Sequence, residues 1–146
     1  MEVIEEITTT EPGDIVKGSE SLYRVVKRSR PDCITANNRV SPALFKDTNG
    51  VSVDRDGGRN EGDIVRFITE VTFPKRTKAI ASLYASNCYD AGAKVKAAPS
   101  EVNPYHANIY LDSDEEKGNL QALQLADTCQ LIYFAEDVKW TGKAGL

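Results

Sequence analysis

Histidine is almost missing from this chain: His106 is the only one in 146 residues. A metal centre built on imidazoles is thereby excluded, and carboxylates such as Asp112 and Asp114 have a simpler duty at the start of the next helix. Cysteine is also scarce. Cys33, Cys88 and Cys129 lie dozens of residues apart without a CxxC pair, which argues against a zinc ribbon or a disulfide framework. They read as reduced, buried thiols rather than as a nucleophile paired with His106. Neither a metal nor a cofactor is expected. No apolar run approaches the roughly eighteen residues that a membrane span needs, and the acidic stretch Met1 to Glu6 lacks the basic and apolar regions of a signal peptide. A cytoplasmic protein with no membrane association is therefore expected. Positive charge is in deficit as well, with 18 Lys and Arg against 22 Asp and Glu and a net charge of −4. That balance opposes nucleic-acid binding, which draws its affinity from neutralised phosphates. The local clusters Lys27, Arg28, Arg30 and Lys75, Arg76, Lys78 read as solvated faces.

What remains is an ordinary globular composition, 40% hydrophobic and 27% charged, long enough to bury one core without staples. Residues 1–18 are acidic, carry a Pro12-Gly13-Asp14 turn and read as an arm or edge strand; residues 19–146 read as a single domain. Leu22 to Val26 is β-branched or aromatic apart from Arg24 and suits a strand. Ser41-Pro42 opens a single capped turn. Val51 to Arg55 alternates as a short strand, and Asp56 to Gly62 is a glycine-rich loop without a phosphate-binding order. Ile64 to Phe73 alternates and predicts a strand, Thr77 to Ala91 has helical spacing with Gly92 as its stop, and Lys94 to Ala98 and Ala107 to Leu111 predict strands. Ser113 to Glu116 fits a capping box ahead of a helix carrying Ala122, Leu125, Ala126 and Cys129 on one face, after which Leu131 to Phe134 passes as a strand. The sum is an α+β fold, a mainly antiparallel mixed sheet of four to five short strands with two longer helices.

The chemistry-bearing residues are few. His106 follows an Asn103-Pro104 turn and precedes an alternating run, which aims it at the mouth of a strand where it can act as an acid or base. Val51 and Val53 alternate with Ser52 and Asp54, so a hydroxyl and a carboxylate share one face. Ser52, Asp54 and His106 contain the residue types of a hydrolytic triad, but two neighbours on one strand point the same way, and no GxSxG elbow is present. Arg24 shares a face with Leu22 and Val26, which calls for a carboxylate partner. A polar cluster is expected in which Asp54 accepts from Arg24 or Arg55, with Asn103 and His106 nearby.

SLYRVV (21–26), SPALFKD (41–47), GVSVDR (50–55) and NPYHANI (103–109) resemble, in that order, the LYR, SxxxF, SVD and NPxHA motifs of a family of small uncharacterised bacterial proteins. The resemblance implies a bacterial, intracellular setting. It singles out Arg24, Ser52, Asp54, Asn103 and His106 without implying a reaction.

Two functions follow as expectations. One is a protein-binding or regulatory module, with a protein partner or a homodimer. The other is a small enzyme or binding protein for a nucleotide or other phosphorylated small molecule. There Arg24, Asp54 and His106 would be the catalytic group, Arg24 clamping an anion, and Ser52, Arg55, Asn103 and Tyr105 would be the ligand contacts.

Overall fold

Leu22, Tyr23, Val25 and Val26 are buried on both faces of a strand, β1 (Ser21–Lys27), which lies inside the sheet rather than at its edge. A computed structural model describes residues 11–47 and 50–135. In chain order a 3-10 turn (Pro31–Cys33), a second (Pro42–Phe45), β2 (Val51–Arg55) and α1 (Glu61–Phe67) follow β1, and α1 continues as a π turn over Ile68–Thr72. Then come β3 (Thr77–Tyr84), α2 (Ala85–Asp90), β4 (Lys94–Ala97), β5 (His106–Tyr110), α3 (Glu115–Thr128) and β6 (Gln130–Phe134). The strands form one sheet in the order β4-β5-β2-β1-β3-β6, with every neighbouring pair antiparallel. The fold is α+β as the sequence predicts, with six strands rather than four or five.

Alternation divides the sheet into two faces. Leu22, Val26, Val51, Val53, Ala81, Leu83, Val95 and Ile109 meet Leu44, Phe45, Cys88, Ala122 and Leu125 in the main core, under α2, α3 and the second 3-10 turn. On the other face Tyr23, Val25 and Ile80 meet Ile64 and Ile68 of α1 and its π extension in a smaller core. That cover does not extend over β2, β5 and β4, where Ser52, Lys94 and Tyr110 are exposed. The outer edge of β4 is bridged by residues 13–16: Ala97 donates to Asp14 O at 2.8 Å and Val16 donates to Val95 O at 3.1 Å. This covers part of an edge that would otherwise invite pairing with another chain. The rest of the expected arm, residues 1–10, lies outside the described residues.

Two expected elements change type. Residues 64–72 of the expected strand 64–73 are helical, because Asn60 caps the helix by accepting from Asp63 N at 2.8 Å, Glu61 and Asp63 sit in its first turn, and Ile64 and Ile68 bury four residues apart. Residues 77–84 form a strand. Being central and covered on both faces, its inner residues are apolar in succession, and Ile80, Leu83 and Tyr84 mimic helical spacing. Only Ala85–Asp90 of the expected helix is helical, closing on Gly92 at φ +89. At α3 the cap is Asp114, accepting from Lys117 N at 3.0 Å, rather than Ser113. The turn at Ser41 forms as expected, its Oγ accepting from Ala43 N at 3.2 Å.

Among the described residues no helix is long and apolar enough to cross a membrane. Nor do three or more His, Cys, Asp or Glu side chains gather there as metal ligands.

Candidate functional site

The site begins where a strand pair stops. β1 and β2 pair only through Leu22 with Arg55 and Tyr23 with Asp54. Beyond that point the two strands are unpaired, and a cleft of about 180 Å3 opens at the fork. Tyr23, Val25 and Lys27 line it from β1, Ser52 and Asp54 from β2, and Asn103 and His106 from the segment entering β5.

Arg24 closes the fork. Its Nη1 donates to Ser52 O at 2.9 Å, a carbonyl that a continuing ladder would have used, while Nε donates to Leu44 O at 3.1 Å and Nη2 to Asp47 Oδ2 at 2.9 Å. The carboxylate partner that its apolar face calls for is Asp47, not Asp54. Arg24 lines the cleft, yet three acceptors already hold its guanidinium, so its geometry is that of a brace.

Asp54 is 5% exposed. Asn103 Nδ2 donates to its Oδ1 at 3.1 Å, and Asn103 is itself set by accepting the N–H of Tyr105 at 2.9 Å through Oδ1. The second carboxyl oxygen, Oδ2, is buried and has no hydrogen-bond partner among the described residues. Its closest cation is Arg59, with Nη2 at 3.9 Å, rather than Arg24 or Arg55. Burial pushes the Asp54 carboxyl above its ordinary range, against the Asn103 hydrogen bond and the charges of Arg59 and His106, which pull it down. A buried carboxyl so perturbed at a cleft wall is a group suited to acid–base or ligand-binding work.

His106 faces Asp54 directly across the β2–β5 ladder. Arg55 N donates to Tyr105 O one step away at 2.8 Å, which makes Asp54 and His106 a non-hydrogen-bonded pair, the closer of the two kinds. His106 Nδ1 lies 3.1 Å from Ala98 O. A carbonyl can only accept, so Nδ1 carries a proton and Nε2 is the nitrogen left for other partners.

Ser52 is exposed beside the cleft, opposite Asn108 on β5. No hydrogen bond joins Ser52 to His106 among the described residues, so the triad chemistry has no geometric start. Arg55 falls outside the cluster. It is 4% exposed, and its Nε donates to Glu20 Oε2 at 3.0 Å. Tyr105 stands behind the site as the surface on which Arg59 stacks, the guanidinium carbon 3.6 Å from the ring centroid. The cysteines contribute no nucleophile: burial raises all three thiols, Cys88 to about 12.

Arg59 is the residue that sequence reasoning passes over. It sits in the glycine-rich loop between β2 and α1, where a charge reads as solvated. The one hint is steric, since Gly57 at φ +58 has no room for a side chain: a Cβ there would lie 2.4 Å from the Tyr105 ring. The chain matches no protein-family model, no curated protein and no solved structure.

Proposed function

We propose that this chain binds a small polar molecule in the cleft at the β1–β2 fork, with Asp54 and His106 as the groups that meet its reacting or recognised end. The observation that carries the reading is the Asp54 carboxyl, buried at the cleft wall with one oxygen held by Asn103 and the other unpartnered. An unpartnered buried oxygen costs roughly 1–3 kcal/mol in a merely structural setting, and a ligand donating a hydrogen bond removes that cost. A volume of about 180 Å3 is that of roughly six waters at about 30 Å3 each, which admits a headgroup rather than a whole dinucleotide. Lys27 lies four residues along β1 from Tyr23, the cross-strand partner of Asp54, so the cleft runs from a carboxyl to an ammonium. A ligand with a donor at one end and an anion at the other fits that polarity, and a phosphorylated small molecule has both.

The bacterial, intracellular setting belongs to this proposal and comes from the motif resemblance. A thermal-shift screen of sugar phosphates, nucleoside monophosphates and small carboxylates tests it. The expected result is a stabilising compound whose effect is lost in Asp54→Asn and weakened in Lys27→Gln. A compound that stabilises all three proteins equally counts against this cleft.

One observation favours the protein-binding reading. On α3, Leu120 and Leu123 are 62% and 47% exposed, one turn apart. Sedimentation of the purified chain with Leu120→Glu and Leu123→Glu as controls separates the two readings, since only a dimer or partner face depends on those leucines.

A further inference from the structure

We propose that Arg59 is the positioning residue of this site, placing a fixed positive charge beside Asp54 while leaving the lone pairs of Oδ2 without a hydrogen bond from the protein. The inference rests on the reading of the cleft as a binding site and names what recognises there: a hydroxyl, amide or ammonium donor meeting Oδ2.

The guanidinium cannot swing. Nη2 donates to Arg55 O at 2.7 Å and Nε to Asp56 O at 3.1 Å. Its face lies 3.6 Å from the Tyr105 centroid and 5.5 Å from that of Phe67, and the two rings meet edge-on at 82°. Rings in this arrangement attract a cation on their faces. The loop that carries Arg59 is itself fastened. Glu20 Oε2 accepts from Arg55 Nε and from Gly57 N, each at 3.0 Å. Asp56 accepts from Ser21 N at 2.7 Å and from Gly58 N at 2.8 Å.

Held this way, Arg59 Nη2 stops 3.9 Å from Oδ2. That is inside the range where opposite charges act strongly on one another, and beyond the reach of a hydrogen bond. A guanidinium one ångström closer would occupy Oδ2 and leave the carboxyl inert. The groups facing Asp54 from the elements around it are Tyr23 on β1, His106 on β5, Asn103 ahead of β5 and Arg59 on the loop. Of these, only Arg59 carries a permanent charge.

The test is an NMR titration of the Asp54 side-chain carboxyl in the full chain, without ligand, for the wild type, Arg59→Gln and Arg59→Lys. In Arg59→Gln the midpoint is expected to rise by about one pH unit or more, and in Arg59→Lys, which keeps the charge, it is expected to return most of the way. An unmoved midpoint in Arg59→Gln overturns the proposal, because a residue serving only to pack on Tyr105 would alter stability and leave the titration alone. A measurement on the unmutated protein covers the case in which the variants do not fold. The Arg59 Nε and Cζ resonances should follow the Asp54 midpoint, and their indifference to it would equally overturn the assignment. Because no ligand enters these experiments, their failure is distinct from a failed ligand screen.

Discussion

The side-chain amide of Asn103 reaches Asp54 Oδ1 at 3.1 Å, while its own oxygen takes the N–H of Tyr105 at 2.9 Å. One buried residue thus ties the loop before β5 to the carboxyl on β2. Asn103→Leu leaves both groups without partners in the interior, and a loss of about 2–3 kcal/mol is expected. Urea unfolding at neutral pH measures it; a loss below about 0.5 kcal/mol would mean that water replaces the amide freely.

The raised Asp54 pKa gives stability a pH dependence of fixed sign. A carboxyl whose folded value lies above its unfolded value binds its proton more tightly in the native state. Its contribution is fully present below the ordinary carboxylate range and is lost as pH rises through the elevated value. Asp54→Asn removes that dependence. The stability of the wild type relative to this variant should therefore fall as pH rises from about 4 toward 7, as read by thermal unfolding across that range. The opposite slope would mean that Arg59 and Asn103 outweigh burial.

Arg24 distinguishes a brace from an anion clamp. Arg24→Met strands the carbonyls of Leu44 and Ser52 and should cost about 3 kcal/mol or more. Asp47, whose side chain is 40% exposed, should cost about 1 kcal/mol or less on change to Asn. Chemical denaturation of both variants checks the pair. If Arg24→Met folds as stably as the wild type and loses only ligand affinity, Arg24 is a clamp after all.

Gly57 should tolerate no side chain while Tyr105 is present. Gly57→Ala meets both a left-handed backbone at φ +58 and a collision with the ring, the first alone worth about 1–2 kcal/mol. Combining it with Tyr105→Ala removes the collision but not the strain. The double variant should then lose clearly less than the sum of the two single changes, and strict additivity would place the loop away from the ring.

How far the residues disclosed all this depends on which side of the sheet they serve. β2 and β5 alternate in polarity because one of their faces lacks the apolar cover that α1 gives to β1 and β3, so Val51 and Val53 against Ser52 and Asp54, and Ala107 and Ile109 against Asn108, were legible even though Asp54 itself is buried. Residues 77–84 were not, because a central strand buried on both faces has no alternation to read. Residues 64–73 carried both periods, and the Asn60 cap, the acidic first turn and the joint burial of Ile64 and Ile68 decide between them. The need of Arg24 for a carboxylate followed from its apolar neighbours, but Asp47 could not be chosen over Asp54 without knowing where β1 and β2 part. Arg59 left no periodic trace, since it acts through a loop whose path is set by Glu20, Asp56 and Gly57.

The most direct measurement is the mapping of amide shifts in the labelled chain as the same panel of phosphorylated and carboxylated small molecules is added. A ligand of the fork cleft should move Ser52, Asp54, Asn103 and His106 together and lose that effect in Asp54→Asn. Shifts that gather instead on α3 around Leu120 and Leu123, or a panel that leaves these four residues untouched, would contradict a binding site at the β1–β2 fork.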